Sequence, residues 1–314
     1  MFPLFTLVSL TILGFNSVAG VLTNTFIVAV NFMDRGQGQT LNPSDLILFT
    51  MAVFNICFQG TMSTNDFFIF FWEKVYFSDW VYPIFTVLLL FTIFCSFWLT
   101  VCLCGFYCLQ IILFSHPFLV CLKRGISKLV PWLLFWSMLL SLALSVPAIF
   151  NISKEPHQNS TVDLMSNTTL EEAVPSVSLT YLLISSIFGS CLPLLLVGAS
   201  ASLIITSLCK HATRMEQSVS GFSGPHKKAS MEAAKTITSL LFLYISFYVS
   251  QILLILNTFP TTSSWFCVCL IIIYCYSPMQ SLILITGSPK LKRLFHCPCC
   301  GGKALHTKKL VTVN

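Results

Sequence analysis

At 314 residues, 55% hydrophobic and only 9% charged, with a mean hydropathy of +0.84, the chain is too poor in charge for a soluble domain, which carries about 25%. The length allows seven membrane spans of about 20 residues across a core roughly 30 Å thick, which leaves short connections and one domain. The formal charge of +6 does not indicate nucleic acid, because the basic residues gather in loops on one side of those spans.

The first apolar run, Leu4–Phe32, has no basic residue ahead of it and no charge before Asp34. It is far longer than the apolar core of a signal peptide, about 7–15 residues, so it reads as the first span. Six more runs follow: Pro43–Phe71, Tyr82–Phe114, Leu129–Phe150, Leu179–Leu208, Thr236–Leu256 and Trp265–Ile285. Hydrocarbon leaves backbone polar groups no outside partner, so only helices or a closed barrel can cross. Runs this long without strict alternation select helices. The spacing predicts an all-α membrane protein, a seven-transmembrane helix bundle over 1–295. A short amphipathic helix, Lys290–Phe295, follows the seventh span, and 296–314 form a tail. Between spans five and six, Gln217–Lys228, with its Ser, Gly and Pro, reads as a flexible connection. No internal repeat is visible, and an odd span count weighs against a simple inverted-repeat transporter.

Lys and Arg set the expected orientation. Fifteen of the seventeen fall on one side: Arg35; Lys123, Arg124 and Lys128; Lys210, Arg214, Lys227, Lys228 and Lys235; Lys290, Lys292, Arg293, Lys303, Lys308 and Lys309. Only Lys74 and Lys154 lie on the other. The basic side is expected to be cytoplasmic, which puts the N-terminus outside. The sequons agree, since Asn151-Ile152-Ser153, Asn159-Ser160-Thr161 and Asn167-Thr168-Thr169 all sit in one connection on the outer side. Asn159 and Asn167 are the favoured glycosylation positions, and Asn151 lies nearer the bilayer. Chance sequons are the plain alternative.

Catalysis within a membrane needs facing ionisable groups at mid-depth. The six histidines, His116, His157, His211, His226, His296 and His306, fall at helix ends, in loops or in the tail. No metalloprotease, nucleophile-elbow or phosphate-loop pattern occurs, so neither an enzyme, a metal nor a cofactor is expected. Asp45 lies near the inner end of span two and Asp66 in its outer part, with no basic residue near mid-depth to pair with either. Asp66, beside Asn65, is a candidate partner for a ligand amine; a carboxylate reaching to the interface is the plainer account. The fourteen cysteines lie mostly inside apolar runs and none falls in Asn151–Ser178, so no disulfide is expected to tether that connection. Cys104 and Cys108 read as buried structural thiols. In the tail, Cys297, Cys299 and Cys300 follow a basic amphipathic stretch suited to an anionic leaflet, which makes them candidate acylation sites. Inert thiols remain the alternative, while their spacing is too tight for a usual zinc site.

Several motifs in order carry a resemblance. They are Asn24-Thr25-Phe26-Ile27 and Val30-Asn31; Leu41-Asn42-Pro43-Ser44-Asp45 with Ile47-Leu48; and Trp98-Leu99-Thr100 with Phe106-Tyr107 and Leu109. Further on stand Leu122-Lys123-Arg124, Leu192-Pro193, Ser207-Leu208 with His211, Lys235-Thr236, Ser239 to Tyr244, Ser281 to Leu284, and Lys290-Leu291-Lys292. Together they resemble the bitter-taste receptors, the type 2 taste receptor family of G-protein-coupled receptors, over about Gly20 to Phe295. The chain departs from that pattern at Asn55, where the family has arginine, and at Gln110, where it has lysine. It departs again at Gln280, where the family has histidine, at Ser288 in place of asparagine, and at Leu89 in place of a pocket tryptophan. Vomeronasal type 1 receptors are the nearest rival. The Ser-Leu-x-x-His and Lys-Leu-Lys stretches favour the taste family.

The resemblance implies a small-molecule agonist bound among the outer ends of spans two, three, five, six and seven. Helical spacing then nominates Asn65 and Asp66, Leu89 and Ile93, Tyr181 and Ser185, Phe247, Gln251 and Leu254, and Leu270 and Tyr274. For each, interhelical packing is the alternative. The resemblance also implies a heterotrimeric G protein, similar to gustducin, against Lys123, Arg124, His211, Arg214 and Lys235, with signalling to phospholipase C and calcium release. Positive-inside bias alone accounts for those charges as well. A small-molecule transporter, the reading from another class, would need polar sites at mid-depth or broken helices, and the helix interiors read as bland.

Overall fold

A computed structural model describes residues 4–36, 38, 41–111, 117–154, 175–216, 225–260 and 263–296, with backbone alone at 4–10, 117–124, 154, 210–216 and 225–230. Its helices are α1 (Leu4–Gly36), α2 (Pro43–Phe71), α3 (Glu73–Tyr76), α4 (Val81–Ile111) and α5 (Pro117–Ser145). They continue as α6 (Leu179–Ser186), α7 (Leu192–Glu216), α8 (Pro225–Ile255), α9 (Ser264–Gly287) and α10 (Pro289–His296). A π turn, Ile187–Cys191, joins α6 to α7 into one span. Seven stretches are long and apolar enough to cross a membrane, from Thr11–Gly36 to Ser264–Gly287. The protein is a seven-transmembrane helix bundle. Its two ends are distinguished here by the short helices they carry, α3 at one and α10 at the other.

Local chemistry marks the boundaries. Proline opens α2 at Pro43, where its missing N–H costs nothing. The Ser263 hydroxyl accepts from the Trp265 N–H at 3.3 Å and caps α9. At its far end α9 stops at Gly287. Ser288 turns extended ahead of Pro289, and its hydroxyl accepts from the Leu291 N–H as α10 begins.

Two helices start well before their apolar runs. α5 begins at Pro117 rather than Leu129, and α8 at Pro225 rather than Thr236. Hydropathy finds only the lipid-embedded part of a helix, and both continue past it as polar helix. The last four residues of the expected flexible connection, 225–228, are therefore helical. A second departure is a small antiparallel pair, β1 (Ile152–Lys154) with β2 (Pro175–Val177), in the register Ile152 to Val177. It closes the ends of the sequon-bearing connection without any cysteine.

α4 is the central strut. It packs on α2, α5 and α7, while α9 packs on α1 and α8. Lipid tails are as apolar as leucine, so these contacts are held by close packing and hydrogen bonds rather than by the hydrophobic effect. On α5, Ser137, Ser141 and Ser145 each bond the carbonyl four residues back. That keeps the α4-facing side small, and Cys102 meets Ser137 at 3.3 Å across it. Toward the α10 end the core is aliphatic, with Ile27, Ile47, Met51, Leu103 and Leu284 all buried.

α10 is the expected amphipathic helix, with one correction. Lys290 does not face a leaflet. Its ammonium pairs with the carboxylate of Asp34, lies 3.2 Å from that of Asp45 and donates to Asn31 Oδ1 at 3.1 Å. Asp45 is thus paired, contrary to its expected isolation, because α10 folds back under the bundle. Leu291 is buried beneath it, and Phe295 meets Phe26 edge-on at 5.5 Å. Lys292 and Arg293 are left exposed.

Candidate functional site

Toward the α3 end the interior of the bundle holds a buried aromatic cluster, the floor, with polar groups at its rims. The floor is built from one or two rings per helix. Phe58 comes from α2, Phe97 from α4, Tyr244 and Phe247 from α8, and Tyr276 from α9. Phe97 stacks on Tyr244 at 4.6 Å, and Phe247 tilts against Tyr276 at 4.6 Å and Phe97 at 5.6 Å. Such pairs add about 0.5–1.5 kcal/mol each beyond their area. Leu89, Ile93 and Leu254 pack on the same cluster, half-buried. The structure therefore brings four of the nominated residues, Leu89, Ile93, Phe247 and Leu254, into one apolar cluster.

Two polar rims flank it. On one, Tyr274 of α9 donates to the Asp66 carboxylate of α2. Asn65 lies within hydrogen-bond reach of the same carboxylate and accepts from the Tyr76 hydroxyl of α3 at 2.7 Å. Tyr76 is the member of this relay outside the spans, and burial, ahead of its neighbours Tyr82 and Asp66, pushes its phenol above the usual value. On the other rim, Ser190 of the π turn reaches Gln251 of α8 at 3.4 Å. Gly189 lets that turn seat against α4. A Cβ there would fall inside the ring of Phe94, so glycine leaves the room that ring occupies. Leu270 lies half-buried on α9.

Tyr181 and Ser185 lie elsewhere. The Tyr181 hydroxyl donates to the carbonyl of Leu144 at 2.6 Å, and its ring packs on the Leu90, Phe94 and Ala148 seam between α4 and α5. Ser185 is buried and bonds back to Leu182 of its own helix. Of the residues nominated to face a G protein, Lys235 is exposed at the start of the apolar part of α8. The side chains of Lys123, Arg124, His211 and Arg214 lie outside the described residues. So do Asn159, Asn167, Cys297, Cys299 and Cys300. The Asn151 amide donates to Pro147 O at 2.8 Å.

Beneath the floor lies what the sequence hid. The helix interiors are not bland. Asn24 of α1 accepts from Asn55 of α2 at 3.0 Å and donates to Ser277 of α9 at 3.2 Å. Ser96 of α4 meets the Tyr276 hydroxyl at 2.7 Å and lies within 3.5 Å of Asn55. Gln280 donates to the Tyr244 hydroxyl at 2.7 Å and lies within reach of Thr100 at 3.3 Å and Tyr276 at 3.2 Å. The network joins five spans through neutral groups that satisfy one another. It holds no carboxylate and no base, so it offers no proton or ion relay of the kind a coupled transporter uses. Two departures from the resemblance, Asn55 and Gln280, sit in this one network, joined through Ser96.

A family model described as Taste receptor protein (TAS2R) matches residues 1–300. Taste receptor type 2 member 40 of Gallus gallus is 31% identical over 295 residues, 94% of this chain and 94% of that protein. Taste receptor type 2 member 39 of Homo sapiens is 31% identical over 291 residues, 93% of this chain and 86% of that protein. Taste receptor type 2 member 119 of Mus musculus is 30% identical over 289 residues, 90% and 83% respectively.

Proposed function

This chain belongs to the taste receptor type 2 family of bitter-sensing G-protein-coupled receptors, and from that premise we propose how it senses: a small bitter compound binds on the aromatic floor at the α3 end, and the signal leaves at the α10 end. The protein is a multi-pass membrane receptor of the plasma membrane, not an enzyme. In this reading the α3 end is outside, 1–295 form the receptor domain, and 296–314 are a cytoplasmic tail. Asn159 and Asn167 carry the glycans. The α10 end, with Lys123, Arg124, His211, Arg214 and Lys235, meets a gustducin-like heterotrimer that drives phospholipase C and calcium release.

The observation that carries the reading is the half-buried Asp66 held by Tyr274, whose chain neighbour Ile273 belongs to the apolar aromatic cluster. Small-ligand sites have this make-up, mostly apolar with a few placed polar groups. The floor residues Phe247 and Tyr276 also touch the buried network below. A ligand pressing on the rings therefore acts on groups that tie α4, α8 and α9 together. An agonist works by favouring the active arrangement, and each 1.4 kcal/mol of preference is about a tenfold shift in population.

Two outcomes test the site in cells carrying a chimeric G protein and a calcium dye. Phe247→Ala should reduce potency at least about tenfold across a bitter panel while surface expression holds; unchanged potency removes the floor from the site. Asp66→Asn should cost protonated-amine agonists about tenfold or more and spare neutral glycosides and lactones. An equal loss for both classes means the carboxylate is a structural clasp, not a ligand partner.

A further inference from the structure

The connection between α2 and α4 is built, not slack. α2 stops at Trp72, whose backbone leaves the helical region with φ of −136°. One turn of helix, α3, follows. Val75 and Tyr76 donate to Trp72 O, and Val81 N–H reaches Ser78 Oγ as α4 opens. The turn has two sides. Tyr76 points in, 5% exposed, with its hydroxyl on Asn65 and its ring against Phe77, Tyr82 and Phe85. The opposite side is large, apolar and bare: Phe71 is 70% exposed, Trp72 53%, Val75 49% and Trp80 79%.

Water is a poor partner for so much exposed aromatic surface. Phe71 and Trp72 touch Phe67 of α2, and Ile84 of α4 donates its N–H to the Trp80 carbonyl one turn back, so each end of the connection runs into the lipid-facing side of a span, where Phe67, Phe70 and Ile84 are exposed. The occupant of this surface is therefore continuous with the hydrocarbon that covers those spans. Indole suits the boundary, with an apolar body and an N–H that needs a partner. The charges in Trp72–Trp80 are Glu73, Lys74 and Asp79. Both signs are present and no basic cluster calls for an anionic lipid. We propose that the Trp72–Trp80 connection is a membrane anchor, seated in the headgroup zone of the leaflet at the α3 end with zwitterionic phospholipid as its partner, rather than a water-exposed rim. The proposal holds whichever end faces outward and whether or not Asp66 meets a ligand.

The test uses the full-length receptor in phosphatidylcholine nanodiscs, one receptor per disc. The emission of Trp72 and Trp80 is the difference between the wild type and the Trp72→Phe/Trp80→Phe variant. Trp80→Phe alone serves where the double variant expresses poorly, since Trp80 is almost bare. A headgroup spin label on the phosphatidylcholine should quench this difference signal at least twofold more than bromines deep in the acyl chain. Aqueous iodide should quench it less than half as well as it quenches free tryptophan. Quenching by iodide at the free-tryptophan level, with no effect of the headgroup label, overturns the proposal. So does indifference to every quencher, which would place the two indoles inside the protein.

Discussion

Replacing Gly287 by alanine should raise agonist-independent calcium signalling about tenfold, at equal surface expression. Gly287 ends α9 against the start of the apolar part of α8. A Cβ there would overlap the Thr236 hydroxyl and stand 2.8 Å from its Cγ2. Thr236 cannot turn aside: it is β-branched, 6% exposed, and its hydroxyl is held on Glu232 O at 2.9 Å. The added methyl therefore presses α8 and α9 apart at the α10 end, beside Lys235. Overpacking of this kind costs about 1–3 kcal/mol. The cost falls only on the arrangement in which the two helices touch, so the population moves toward the one in which they part. Thr236→Ala shortens the obstacle, and the pair Gly287→Ala/Thr236→Ala should return basal signalling to near the wild-type level. If the single variant reaches the surface and stays silent, or if the pair signals as strongly as Gly287→Ala, the contact is mere packing.

Gln280→Leu should lower the thermal midpoint in detergent by several degrees. The side chain has two N–H donors and three hydroxyls within 3.3 Å, those of Thr100, Tyr244 and Tyr276. Leucine fills nearly the same volume and supplies no donor. Hydrogen bonds between membrane helices average about 0.6 kcal/mol and reach about 1.7, so losing the two that leave α9, to Thr100 and Tyr244, costs roughly 1–3 kcal/mol. Tyr244 is the hydroxyl by which α8 enters the network, bonded both to Gln280 and to the Ser96 carbonyl. The loss should thus loosen α8 before the rest of the bundle. Met279→Leu, one residue away on an exposed position, should leave the midpoint where it is. Equal midpoints for Gln280→Leu and Met279→Leu would show that the network contributes nothing to the fold.

The spans were legible because hydrocarbon imposes a composition that needs no tertiary knowledge, and Pro43–Phe71 is both the apolar run and the helix. The early starts of α5 and α8 were not, because helix that leaves the membrane becomes polar while keeping its backbone. The network was hidden for a different reason. Asn24, Asn55, Ser96, Tyr244 and Gln280 come one from each of five spans, separated by tens of residues of apolar sequence. Each alone looks like a tolerated polar residue, and only the packing of α1, α2, α4, α8 and α9 turns five incidental groups into one. Lys290 misled similarly. Counted as a charge it belongs to the tail, whereas Asp34, Asp45 and Asn31 draw it under the bundle. Helical spacing grouped Tyr181 with Ser185 correctly as helix neighbours, but it carried no information on which neighbouring helix Tyr181 would face.

The π turn at Ile187–Cys191 also bears on how this span can change length. Such a turn holds about one residue more than the α turn it replaces. It amounts to an absorbed insertion, which turns the α6 half by nearly a third of a revolution relative to the α7 half. Gains and losses of single residues are ruinous in most of a transmembrane helix, because every side chain beyond them changes face. Here the adjustment is confined to one turn, and Val197, Ala201 and Ile204 keep their seats against α4 and α8 while Tyr181 and Ser185 swing around the axis. Pairing this span with a relative's residue by residue, without a gap at 187–191, would compare the wrong faces on the α6 side.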